Sequence, residues 1–224
     1  MADRGVQTGL TVDRLQALSD GVIAIVVTIL ILGIEVPPPD ETGDVELHKR
    51  LAEDWIMFVG YVVSFMLISL YWLIHHALFH YFVSSNRTLS ILNLLFLMFI
   101  AFIPFPTNFL IAYPGEQLAA QLYAVSHILT SLSLAALWIY GSAGCRLVDP
   151  RLDPGLSSAM TRRLLIGPAI YSLALAIAFF DPWIAKAIFL VVPLVCFLPS
   201  ESDTHWANLA RDASSSEFPP SRRP

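Results

Sequence analysis

Charged residues are scarce in this chain: only 14% of its 224 residues are Asp, Glu, Lys or Arg, against about 25% in soluble domains. Basic residues are not in excess either, because the formal net charge is −5, and this excludes the basic footprint of a nucleic-acid-binding protein. The two cysteines, Cys145 and Cys196, are too few for a disulfide scaffold. With 56% hydrophobic residues and a mean hydropathy of +0.65, the composition is that of a polytopic membrane protein.

Common catalytic motifs are also missing from the sequence. It contains no H-E-x-x-H, no G-x-S-x-G and no C-x-x-C, so the usual metal, serine and thiol mechanisms lack their residues. We therefore expect a protein that is not an enzyme, with no metal site, no organic cofactor and no nucleic-acid partner.

Long uncharged stretches locate the membrane, because a charge at the centre of a spanning helix costs about 2.5–3.5 kcal/mol on insertion scales. A helical span needs about 20 residues. The sequence therefore predicts an all-α membrane protein in which residues 1–200 form one six-helix unit and residues 201–224 a disordered tail. The predicted spans are residues 14–34, 55–80, 88–111, 117–143, 162–180 and 183–200.

The distribution of basic residues predicts the orientation. With the N-terminus in the cytoplasm, six spans place ten of the 13 Lys and Arg residues on the cytoplasmic side. We expect a multi-pass protein of the cell (plasma or inner) membrane with both termini in the cytoplasm. The external segment 35–50 carries five acidic residues, which form either a solvated loop or a negative mouth that concentrates cations.

An ionisable residue, Asp20, lies in the first predicted span, where an unpaired carboxylate is expensive. Arg14 cannot pair with it along the helix, because helical side chains meet at offsets of three or four residues, not six. Each needs a partner on another helix or subunit, and His75 and His76 of the second span are candidates at similar depth. A capping carboxylate with a satisfied core histidine is the alternative interpretation.

Downstream of Asp20, the positions Ile25, Thr28, Ile29 and Leu32 fall at i, i+3, i+4 and i+7, on one face of a helix. Periodicity alone favours ordinary helix packing for this stripe. The Thr28 hydroxyl has an equally ordinary role open to it, a hydrogen bond to a backbone carbonyl one turn earlier.

Three motifs resemble the transmembrane protein 175 family, the lysosomal and prokaryotic potassium channels. The first helix resembles the family signature R-x-x-x-F-S-D, with Leu18 in place of phenylalanine. The second-helix motif is W-x-x-H-x-x-x-F at Trp72–Phe79, and the third helix matches at Asn93–Phe96 and Ile103–Thr107. The resemblance covers roughly residues 14–107.

This resemblance implies a homotetramer, because prokaryotic members carry one six-helix repeat per chain, and a pore lined by the first helix. It implies that Ile25 is the narrowest constriction, that Thr28 supplies a hydroxyl layer, and that Ile29 and Leu32 form further rings. The residues that would hold the pore helices together are Arg14, Ser19, Asp20, Trp72 and His75.

The expected function is a potassium-permeable cation channel with modest preference for K⁺ over Na⁺, in which a hydrophobic constriction gates by dewetting. Its partners would be K⁺ and other monovalent cations, the lipid bilayer and further copies of the chain, and the permeant K⁺ ion takes the place of a cofactor. The alternative is a proton-coupled transporter or a proton-conducting channel that uses Asp20 and His75.

Overall fold

The computed structural model of the chain describes residues 11–34 and 55–197, with side chains to residue 194. The acidic segment 35–50, the predicted tail 201–224 and the last residues of the sixth predicted span lie outside the described residues.

Nearly all of the described residues are helical. Short 3₁₀ turns at Leu30–Gly33 and Ala143–Cys145 extend the first and the fifth α-helix. The α-helices are α1 (Val12–Ile29), α2 (Trp55–Phe79), α3 (Arg87–Phe102), α4 (Pro104–Ala112), α5 (Gln117–Ser142), α6 (Pro154–Ala178) and α7 (Pro182–Phe197).

Five helical segments are long and apolar enough to cross a membrane. Helices α3 and α4 together make one of them, Arg87–Ala112, while the sixth predicted span is a shorter apolar helix within α7. The prediction of an all-α membrane protein with six apolar helical segments is therefore confirmed.

Two boundaries differ from the prediction. The expected span 88–111 is interrupted at Ile103, because Pro104 and Pro106 have no backbone N–H to continue the helical hydrogen bonds. The expected span 162–180 begins earlier, at Pro154, because the Asp153 carboxylate caps the N–H groups of Gly155 and Leu156 at 3.2 and 3.1 Å. The predicted span began at the charged pair Arg162 and Arg163, so it did not include this first part of α6.

Helix α5 is the centre of the bundle, since 61% of its most apolar window is buried, against 22–33% for the other four spanning segments. Small side chains on its buried face let neighbouring helices approach closely, as in other membrane bundles. These residues are Ala119, Ala120, Ala124, Ser126, Ser131, Ser133 and Ala135.

The aromatic ring of Phe82 fastens the turn after α2 to the end of α5. It packs edge-on against Phe79 and beside Trp138, and its backbone forms an isolated β-bridge with Val148. The ring occupies the space where a side chain at Gly141 would begin, so only glycine fits there without displacing the ring.

Gly141→Ala is therefore expected to overpack this contact, at a cost of about 1–3 kcal/mol. The melting temperature of the detergent-solubilised protein should fall by about 2–4 °C for each kcal/mol lost. Gly115→Ala is the matched control, because a Cβ there meets no atom within 4 Å. Equal melting temperatures for the two variants would contradict the assignment.

Candidate functional site

Thr11 caps the start of α1: its hydroxyl accepts a hydrogen bond from the Arg14 backbone N–H at 3.4 Å. One side of the helix is buried against α2 and α3. This buried side lies roughly 80–160° around the helix axis from Ile25, at about 100° per residue. Its residues are Leu15, Ser19, Ile23, Val26 and Leu30.

The opposite side of α1 is exposed and apolar. Ile25 is 59% exposed, Ile29 43% and Leu32 77%, and these three residues share one face. Gly21 continues this face, with no atom within 4 Å of where its Cβ would lie. Large aliphatic side chains therefore project from the subunit between positions 25 and 32.

Thr28 lies about 60° to one side of Ile25, on the flank away from the buried face. Its hydroxyl donates a hydrogen bond to the backbone carbonyl of Ile25 at 2.8 Å. The hydroxyl proton is thus engaged within the helix, while the oxygen of this exposed side chain keeps its capacity to accept.

The Asp20 carboxylate is partly buried between α1 and α2. Its Oδ1 accepts a hydrogen bond from Trp72 Nε1 at 2.8 Å, so the partner that the sequence required comes from the second span and is an indole. One turn nearer the N-terminus of α1, Gln16 Nε2 lies 2.9 Å from His76 Nδ1 and makes a second link between the same two helices.

Ser19, Asn93 and His75 form a buried chain of hydrogen bonds that joins α1, α3 and α2. The Ser19 hydroxyl donates to Leu15 O at 2.9 Å and therefore accepts from Asn93 Nδ2 at 2.9 Å. Asn93 Oδ1 is then left to accept from His75 Nε2, also at 2.9 Å. This direction of donors places a proton on His75 Nε2.

The His75 ring is completely buried and stacks between Phe79 and Phe96, with ring centroids 4.2 and 5.2 Å away. Its Nδ1 has no hydrogen-bond partner in the described part of the chain. His75 and Asp20 have different hydrogen-bond partners among the described residues: Asp20 is bonded to Trp72, and His75 is bonded to Asn93.

Of the five expected network residues, the structure brings four into these hydrogen bonds. Asp20 is bonded to Trp72, and Ser19 is joined to His75 through Asn93. Arg14 is not joined to them: its side chain is exposed, and residues 11–34 and 55–194 provide it with no hydrogen-bond or ion-pair partner. The expected role of Arg14, to hold the pore helices together across subunits, stays a prediction.

Two residues at the centre of these contacts were not among the candidates. Asn93 connects all three helices, and the signal for it was a carboxamide in the otherwise apolar first half of the third span. Gln16 carried no such signal, because a glutamine near the start of a helix is ordinary.

A second buried histidine, His127, was also missed. It is fully buried among the rings of Tyr71, Tyr123 and Tyr171, and its Nδ1 lies 3.2 Å from the Tyr71 hydroxyl. This cluster lies between α2, α5 and α6, so it belongs to the interior of the subunit.

Comparison with known proteins identifies the family. The sequence profile described as "Endosomal/lysosomal potassium channel TMEM175" matches residues 14–104. A potassium channel of Streptomyces collinus is 38% identical over 170 residues, which cover 74% of this chain and 82% of that protein. The chain belongs to the TMEM175 family.

Its fold is also that of TMEM175 proteins. The crystal structure of a lysosomal potassium-selective channel TMEM175 homolog from Chamaesiphon minutus superposes with a TM-score of 0.74 at 28% identity, covering 82% of this chain and 95% of that one. The human endosomal/lysosomal proton channel TMEM175 is 26% identical over 211 residues, 92% of this chain but 40% of the human protein. This TMEM175 protein is thus a multi-pass membrane protein of an ion-channel family.

Replacement of Trp72 tests the link between α1 and α2. Trp72→Phe keeps an aromatic ring but removes the donor to Asp20, and hydrogen bonds to charged groups contribute about 1.5–3 kcal/mol. We expect a lower unfolding free energy and melting temperature in detergent. Trp55→Phe, at an indole that is 60% exposed, should leave both unchanged; a Trp72→Phe protein as stable as this control would show that the link does not stabilise the subunit.

Proposed function

We propose that this chain forms a potassium-permeable cation channel, a homotetramer in which four copies of α1 surround a central axis. The observation that carries the proposal is the division of α1 into two faces: one is bonded to the subunit through Ser19 and Asp20, and the other projects Ile25, Ile29 and Leu32 away from it. Membership of a potassium-channel family and the name of the Streptomyces relative support the same function.

Within this assembly the exposed aliphatic face lines the conduction path. Ile25 forms the narrowest ring, with Ile29 and Leu32 as further rings. A narrow ring of branched aliphatic side chains expels water and stops ions, while a slightly wider ring passes partly hydrated cations. Ser19 and Asp20 make their hydrogen bonds within the subunit, so they hold the helix in place and do not line the path.

The Thr28 hydroxyl supplies the polar layer. Because the hydroxyl proton is donated to Ile25 O, the Thr28 oxygen can coordinate a cation and replace one of its water ligands. Four such oxygens favour the ion that loses water more easily, which is K⁺ over Na⁺. No T-V-G-Y-G carbonyl filter occurs in the sequence, so the preference is modest.

We further propose the cell membrane as the location, residues 1–200 as the channel domain, and the cytoplasm as the side of both termini. The basic residues support this orientation, since the turn after α2, the segment between α5 and α6 and both termini carry most of them. In this orientation the links at Ser19 and Asp20 lie at the inner end of α1, and Leu32 and Gly33 lie at its outer end.

Proton conduction is a second candidate function. The human relative is named a proton channel, and the buried His75 has an unpartnered Nδ1 in the described part of the chain. Against a relay through Asp20 and His75, the two side chains belong to separate links, and His75 is enclosed by Phe79 and Phe96. Proton passage along the axis itself needs neither residue.

Reconstitution into liposomes tests the channel. The purified protein should elute as a tetramer and carry a current that reverses near the K⁺ equilibrium potential, without a coupled solute. A current that follows the proton gradient instead favours the second candidate, and absence of current from a tetramer contradicts both.

Ile25→Ala tests the constriction, because removing four branched side chains widens the ring and favours wetting. We expect a larger K⁺ flux per protein in the liposome assay. Ile91→Ala is the matched control, since Ile91 of α3 is exposed to a similar extent, 53% against 59%, but lies off the proposed path. If both variants conduct like the unmodified protein, Ile25 is not the constriction.

Substitutions at Thr28 test the hydroxyl layer. Thr28→Ala removes the oxygen and should lower the permeability ratio of K⁺ to Na⁺ in bi-ionic recordings. Thr28→Ser keeps the hydroxyl and should retain most of the preference. An unchanged ratio in Thr28→Ala would leave Thr28 as a side chain that only caps a backbone carbonyl of its own helix.

A further inference from the structure

The outer end of α1 makes an unusually close contact with α4. At the 3₁₀ turn Leu30–Gly33, the Gly33 backbone lies against the side chain of Asn108. The three atoms nearest to where a Cβ of Gly33 would lie are Oδ1, Cγ and Nδ2 of Asn108. The carboxamide thus fills the space that any other residue at position 33 would need.

Backbone conformation does not explain this glycine, because Gly33 is not among the described residues with a positive φ. Close approach does explain it, since glycine in membrane helices lets a neighbouring element touch the backbone. Asn108 Oδ1 is buried at this contact and has no hydrogen-bond partner in the described part of the chain. A buried carbonyl without a partner is costly to keep, so the contact is not one that stability alone favours.

The contact adjoins the most exposed large side chain of the proposed path. Leu32 precedes Gly33 in the same 3₁₀ turn and is 77% exposed. Along α1 between Asp20 and this turn, the buried side is held by the apolar residues Ile23 and Val26, and Leu30 of the turn itself is also buried. The position of Leu32 relative to the subunit therefore depends on two contacts of its turn, the burial of Leu30 and the approach of Gly33 to Asn108.

We infer that Asn108 is a positioning residue for conduction: by packing against Gly33 it sets how far the outer turn of α1, and Leu32 with it, extends toward the central axis. Asn108 lies outside the residues that match the family profile, which end at 104. The inference rests on the proposed function, because the axis is that of the proposed tetramer.

The contact predicts effects of opposite sign for its two partners. Gly33→Ala adds a methyl group that pushes the outer turn away from α4 and toward the axis, so the path narrows and the K⁺ flux falls. Asn108→Ala removes the carboxamide, lets the turn move back toward α4 and raises the flux. In the double variant the new methyl group occupies the space that the carboxamide leaves, and most of the original flux returns.

The test is K⁺ flux per protein in liposomes, together with melting temperature in detergent. A change of about 1 kcal/mol in the preferred position of the turn corresponds to about a fivefold change in flux, and to a lower melting temperature of Gly33→Ala by about 2–4 °C. Gly115→Ala, in the turn that follows α4 at the same end of the bundle, is the matched control. A Cβ there meets no atom within 4 Å, so the flux and the melting temperature should both stay unchanged.

Two results would overturn the inference. One is a K⁺ flux of Asn108→Ala equal to that of the unmodified protein. This comparison can be made even if Gly33→Ala fails to fold. The other is a double variant with the flux and melting temperature of Gly33→Ala, which shows that the two positions are not coupled. Failure of the channel proposal is separate: the unmodified protein then carries no K⁺ flux, while the melting temperatures still report whether positions 33 and 108 are coupled.

Discussion

The hydrogen bond from the Trp72 indole to the Asp20 carboxylate determines how α1 is placed in the subunit. A carboxylate inside a membrane protein needs a partner, and this one takes its partner from α2. The adjacent Ser19 is bonded to Asn93 of α3. Two neighbouring residues thus fasten α1 to two helices at once, which fixes its rotation as well as its position.

Because rotation is fixed, the remaining sequence of α1 is sorted into two faces without further polar contacts. Positions 23, 26 and 30 follow Ser19 into the core, and positions 25, 29 and 32 are left outside. A rotation by one residue toward the core, about 100°, would bring Ile25 into the buried face. In the proposed channel, Ser19 and Asp20 therefore act on conduction indirectly, through the face of α1 that they leave exposed.

The all-α fold and most helix boundaries followed from the sequence, because uncharged stretches of about 20 residues are a direct consequence of bilayer thickness. The start of α6 did not, since Asp153 and Pro154 extend that helix past the charged pair Arg162 and Arg163. The charge of Asp20 predicted that this residue needs a partner, but it did not predict that the partner is the indole of Trp72. Contacts made by Asn93 and Asn108 were beyond prediction, because they depend on which helices become neighbours.

The middle of α1 differs physically from both of its ends. Hydrogen bonds at Ser19 and Asp20 are directional and fix the inner end, and the fit of Asn108 on Gly33 allows little movement at the outer end. Between them, Ile23 and Val26 make apolar contacts, which are non-directional and tolerate small shifts. Ile25 and Ile29 lie opposite these contacts. The proposed constriction thus occupies the part of the helix in which a small displacement costs the least free energy, as a gate requires.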